Sequence, residues 1–106
     1  MVKREVIDII QEYGKNLKEK GIDFQKLILF GSYASNTETP TSDIDIAVIS
    51  RDFGNDRFEE RAKLTEIAYY IDSRIEPHPV SLNDFTEDDL QMIVHEIKSN
   101  GVEIAA

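Results

Sequence analysis

The chain has 106 residues, with 12 Lys plus Arg against 21 Asp plus Glu and a formal net charge of -9. That length is expected to hold one domain, residues 1–106, and so acidic a surface repels phosphate backbones unless a basic patch or a metal reverses the sign locally. No run of Lys or Arg supplies the patch, so direct nucleic-acid binding is disfavoured. With 41% hydrophobic residues the chain can still bury a modest core, and the absence of Cys removes disulfides, thiolate nucleophiles and zinc–thiolate sites.

Charged residues interrupt every apolar stretch from MVKREVIDIIQEYG onward, so no signal-peptide core or membrane span can be drawn, and a soluble, cytoplasmic protein is expected. Val2, Val6, Ile9, Ile10, Tyr13 and Leu17 recur at three- and four-residue steps, which predicts an amphipathic helix to about Lys20, stopped by Gly21. Lys26 to Phe30 reads as a buried strand ending at a tight Gly31-Ser32 turn. Ser35 to Ser42 reads as a loop, and Asp43 to Ile49 as a strand that enters the core from an exposed mouth. A helix is predicted from about Arg57 to Asp72, with Phe58, Ala62, Leu64, Ile67, Ala68 and Ile71 as its apolar face. Arg74 to Val80 carries two prolines and can only be an edge or terminal strand. Thr86 is read as the cap of a helix over Glu87 to Ser99 with Leu90, Ile93, Val94 and Ile97 on one face, ended by Asn100-Gly101, and Val102 to Ile104 as a last short strand. The order predicts an α/β arrangement around one small sheet.

The chemistry concentrates where Gly31-Ser32 closes one predicted strand and Asp43-Ile44-Asp45 opens the next. Residues i and i+2 of a strand share a face, so Asp43 and Asp45 present two carboxylates side by side while Ile44 and Ile46 turn into the core. Two carboxylates with no basic neighbour in sequence call for a cation, and hard oxygen ligands open to water suit Mg²⁺, which completes its shell with water and substrate phosphates. Gly31 lets the backbone approach a phosphate, and Ser32 adds a hydroxyl and an N–H. A two-metal phosphoryl or nucleotidyl transfer needs a third carboxylate, and Glu76, between Ile75 and Pro77, is the best candidate.

Other groups have plainer readings. His78, between two prolines, is read first as structural and second as a proton carrier or nucleotide contact. His95 falls at the surface of a helix, and Tyr33, Tyr69 and Tyr70 are read as packing aromatics. Ser32 lacks the His and Asp partners, and the second Gly, of a serine nucleophile.

At these residues the chain resembles the minimal nucleotidyltransferases, small members of the DNA polymerase beta superfamily. LILFGSYASNTETPTSDIDIAVIS is similar to their signature, and RIEPHPVSLNDF with the terminal stretch EIKSNGVEI resembles the rest of that domain. The resemblance implies a mixed sheet flanked by helices, ATP or another nucleoside triphosphate as donor, and two Mg²⁺ ions. It matches Gly31 and Ser32 to the phosphate-cradling pair, Asp43 and Asp45 to the metal-binding aspartates, and Glu76 to the third carboxylate. It also implies a partner: relatives of this size are often encoded beside a HEPN-domain protein, an RNase-like toxin, and in the better understood pairs they silence it by attaching AMP to a tyrosine. The chain departs from the pattern at Ser35 and Asn36, where many relatives have a basic residue and Gly; this removes a phosphate or acceptor contact and leaves the metal ligands intact.

The expectation is therefore a Mg²⁺-dependent nucleotidyltransferase that moves AMP from ATP to a hydroxyl of a HEPN-type partner and acts as its antitoxin. Lacking an acceptor domain, it must take acceptor specificity from a partner or from homo- or hetero-oligomeric assembly. The alternative is a binding module that neutralises the toxin sterically with weak chemistry. Nucleotide addition to RNA ends ranks third, because no basic groove is present.

Overall fold

The apolar stripe of Val6, Ile10, Tyr13 and Leu17 forms helix α1 (Arg4–Glu19) in a computed structural model that describes residues 1–87 and 91–106. Gly21, at φ 82°, turns the chain so that Ile22 N bonds back to Leu17 O, which ends the helix by satisfying a terminal carbonyl. Then follow β1 (Lys26–Phe30), the single turn α2 (Ser32–Ser35), β2 (Ile44–Ser50), α3 (Arg57–Tyr69), β3 (Ile75–Ser81), α4 (Leu82–Glu87), α5 (Met92–Asn100) and β4 (Val102–Ile104).

The sheet order is β3-β2-β1-β4. β1 runs antiparallel to β2 and β4, whereas β2 and β3 are parallel and are joined through α3, as a parallel pair requires a crossover. The sheet is mixed and flanked by helices, and β3 lies at its edge, where its two prolines are tolerated.

Strand alternation sorts the core into two layers. Leu27, Leu29, Ile44, Ile46 and Val48 pack with Val6, Ile10, Tyr13 and Leu17 of α1 and Leu64, Ile67 and Ala68 of α3. Ile28, Phe30, Ala47, Ile49 and Val80 occupy the opposite face with Val94 and Ile97 of α5. Each fully buried Leu or Ile contributes about 1.5–3 kcal/mol. The buried Tyr13 hydroxyl donates to Leu64 O at 2.9 Å, tying α1 to α3, and burial pushes that phenol well above its ordinary pKa.

Three sequence expectations need correction. Phe58 and Ala62 do not join the apolar face of α3 but lie exposed on its outer side, Phe58 at 79%. Tyr69 and Tyr70 are 71% and 81% exposed and pack edge to face on each other rather than into the core, unlike Tyr33, which is buried. Thr86 caps no helix; it sits inside α4, its hydroxyl donating to Leu82 O at 3.0 Å. The helix expected over Glu87–Ser99 crosses residues 88–90, and Leu90 with them, which lie outside the described residues; its later part is α5, with Val94 and Ile97 buried and His95 exposed.

Candidate active site

The parallel register of β2 and β3 sets Asp45 beside Glu76, and the antiparallel register of β1 and β2 sets Phe30 on the other side of Asp45. Ile44 and Ile46 are fully buried on the α1–α3 side, so Asp45 faces the opposite side, at the end of the sheet where β1 stops and β2 and β3 begin. Glu76 and His78 are two apart on β3 and share that side. Ligand atoms of Asp45, Glu76 and His78 lie within 4.8 Å of one another. Asp43 stands just before β2, exposed, and its carboxyl acts on that of Glu76.

Gly31 closes β1 next to this cluster. Its φ of 74° and ψ of -154° belong to a region open essentially to glycine alone, and a Cβ built there would overlap Asp45 Oδ2. The carboxylate therefore packs against bare backbone at the turn where Ser32 opens α2. The turn then ends on Asn36 in the left-handed region, φ 60° and ψ 36°, a conformation Asn adopts more readily than other side-chain-bearing residues.

His78 Nε2 lies 3.2 Å from Asp45 Oδ1, a bond to a carboxylate that requires the proton on Nε2, while its ring stands edge to face with Phe30 at 5.0 Å. Burial, the hydrogen bond with Asp43 and the charge of Asp45 hold the Glu76 carboxyl above its ordinary pKa, with His78 acting the other way. Arg61 Nη2 of α3 reaches Glu76 Oε1 at 3.0 Å. The mouth is braced from below by Arg74, which donates to both carboxylate oxygens of Asp72, at 3.1 and 2.9 Å, and to the Tyr33 hydroxyl at 3.3 Å. Its backbone carbonyl accepts from Ile44 N at 2.7 Å, which locks the start of β2 to the approach to β3.

The chain thus brings Gly31, Asp45 and Glu76 together, with Asp43 at the rim and Ser32 following Gly31. Clustered carboxylates at a water-facing strand end suit a hard divalent cation, and the raised Glu76 marks a concentration of negative charge that such a cation would relieve. His78, read from the sequence first as structural and second as a proton carrier or nucleotide contact, stands beside Asp45. Arg61 was missed, since it comes from a different element and carried no local signal.

The family model described as nucleotidyltransferase domain matches residues 5–104. A protein of Methanocaldococcus jannaschii, provisionally named a protein adenylyltransferase, is 36% identical over 74 residues, covering 68% of this chain and 67% of that protein. Among solved structures, one of a toxin–antitoxin with AMP-PNP superposes with a TM-score of 0.64 at 24% identity, over 94% of this chain and 73% of the other. Another, of a mutant MntA–HpeT toxin–antitoxin, gives 0.60 at 26% identity over 91% and 71%.

Proposed function

The chain belongs to the nucleotidyltransferase domain family, and from that premise we propose that it transfers AMP from ATP to a hydroxyl, that of a tyrosine, on a HEPN-type toxin partner and so acts as an antitoxin. The observation that carries this reading is the convergence of Asp45 and Glu76 from adjacent strands beside Gly31-Ser32, with Asp43 just before β2. The relative named for protein adenylyl transfer and the toxin–antitoxin likeness with AMP-PNP support the donor and the acceptor class.

Asp43, Asp45 and Glu76 would hold two Mg²⁺ ions, which when bound supply neutralisation of the triphosphate and acidification of the acceptor hydroxyl. The backbone at Gly31 and Ser32 orients the phosphates. His78 fixes the Asp45 carboxylate through its Oδ1. The acceptor oxygen forms a bond to the α-phosphorus, the bond from that phosphorus to the β-bridging oxygen breaks, and pyrophosphate leaves. On this reading Glu76 also helps take the hydroxyl proton, and the chain's contribution is positioning and charge placement. In the test, Asp43→Asn and Asp45→Asn each abolish label transfer from α-labelled ATP to the partner while leaving the circular dichroism of the protein unchanged; full activity in both variants refutes the reading.

A second reading, steric neutralisation of the partner with weak chemistry, draws on the exposed rings of Phe58, Tyr69 and Tyr70, an apolar face that could seat a protein without any reaction. The doubly substituted Asp43→Asn/Asp45→Asn protein separates the two. On this second reading it still suppresses the toxin at one-to-one stoichiometry; on the first it does not.

A further inference from the structure

We propose that Arg61 is the counter-ion of Glu76 in the metal-free protein and competes with a divalent cation for that carboxylate. The inference rests on the reading of Glu76 as a metal ligand and adds a residue that the reading does not use.

The start of α3 is fixed by its caps. Asp56 Oδ1 accepts from Glu59 N at 3.1 Å, and the Glu60 carboxylate folds back to accept from the amides of Gly54 and Asn55. One turn later Arg61 projects to the edge strand and places Nη2 3.0 Å from Glu76 Oε1. The contact is through one nitrogen rather than a two-pronged fork, and it meets a carboxyl whose other close neighbours include the carboxylates of Asp43 and Asp45. A guanidinium stays charged at every accessible pH, so it can balance the cluster permanently without a metal.

It cannot do so strongly. Arg61 and Glu76 side chains are 49% and 38% exposed, and ion pairs so open to water contribute little. A doubly charged ion that coordinates the oxygen directly displaces such a partner readily, and the guanidinium then leaves Oε1. Arg61 is thus a positioning residue that acts through Glu76: it keeps the third carboxylate in the cluster when metal is absent, at the expense of a modest loss in metal affinity.

The test measures Mn²⁺ binding to the full chain, without nucleotide, from the paramagnetic resonance signal of free Mn²⁺. Arg61→Gln tightens binding about two- to fivefold, the range expected from losing an exposed ion pair, and Arg61→Lys, which keeps a charge, stays nearer the parent protein. Glu76→Gln weakens binding, and Arg61→Gln adds nothing in that background. Unchanged or weaker binding by Arg61→Gln, with Glu76→Gln still weakening it, overturns the inference alone. Equal tightening with and without Glu76 also overturns it, because Arg61 would then act through its general field. If Glu76→Gln leaves Mn²⁺ binding untouched, the assignment of Glu76 as a ligand fails, and the inference fails with it.

Discussion

Gly31→Ala is expected to damage both the fold and the candidate site, and the two effects can be separated. At φ 74° and ψ -154° an L-residue is strained by about 1–3 kcal/mol. The added Cβ also meets Asp45 Oδ2 and the Asp45 side-chain carbons beyond it, so the carboxylate must move. Taking about 2–3 kcal/mol in total, and about 4–8 °C per kcal/mol for a domain near this size, the melting temperature should fall by about 8–24 °C. Gly21→Ala is the control. Gly21 also has a positive φ, 82°, but a Cβ there meets nothing within 4 Å, so backbone strain acts alone. Thermal unfolding and Mn²⁺ titration should show both variants destabilised, Gly31→Ala the more so, and only Gly31→Ala impaired in metal binding. A Gly31→Ala protein with the parent's melting temperature and metal affinity would refute the claim that bare backbone at residue 31 makes room for the Asp45 carboxylate.

Other predictions address the supports of the site. Asp72→Asn removes charge-assisted bonds to Arg74 and should cost about 1–2 kcal/mol at neutral pH by denaturant titration. The Arg74 guanidinium holds the Asp72 carboxyl below its ordinary value of 3.8, so this contribution is complete above about pH 5 and fades as the pH falls through the lowered value. The stability difference between parent and variant should therefore shrink in acid; a difference that grows there contradicts the assignment. Tyr13→Phe leaves Leu64 O without its buried donor and should cost about 1–2 kcal/mol, measured by urea unfolding, with no change in Mn²⁺ affinity. His78→Ala frees Asp45 Oδ1 and should weaken Mn²⁺ binding about tenfold, at the lower end of the range for outer partners of metal ligands. An unchanged affinity would reduce His78 to a packing residue against Phe30.

The centre of the fold was legible because strand alternation and turn chemistry agree there. Ile44 and Ile46 turn inward, Asp45 turns out, Gly31 has a conformation reserved for glycine, and Glu76 falls in register with Asp45. Pairing β3 beside β2 was beyond the sequence, since a parallel neighbour leaves no hairpin signal and depends on α3 crossing over. Helix α3 misled for a related reason. Apolar residues surround much of it, and periodicity alone does not tell which side the sheet will cover; the sheet and α1 take Leu64, Ile67 and Ala68 and leave Phe58, Tyr69 and Tyr70 in solvent. Thr86 misled because Ser and Thr before an apolar run imitate a cap, whereas its hydroxyl bonds back to Leu82 O. Arg61 shows the limit most clearly: 15 residues separate it from Glu76, and only the packing of α3 on β3 joins them.

Intact-mass spectrometry of the partner decides between protein adenylyl transfer and neutralisation without chemistry. The product of the neighbouring gene is incubated with this protein, Mg²⁺ and each nucleoside triphosphate in turn, and both chains are weighed before and after. The partner is expected to gain AMP units from ATP, on a tyrosine, and to gain none when Asp43 and Asp45 are both replaced by Asn. A partner of unchanged mass that is nevertheless silenced, or one modified equally by the doubly substituted protein, would contradict that expectation.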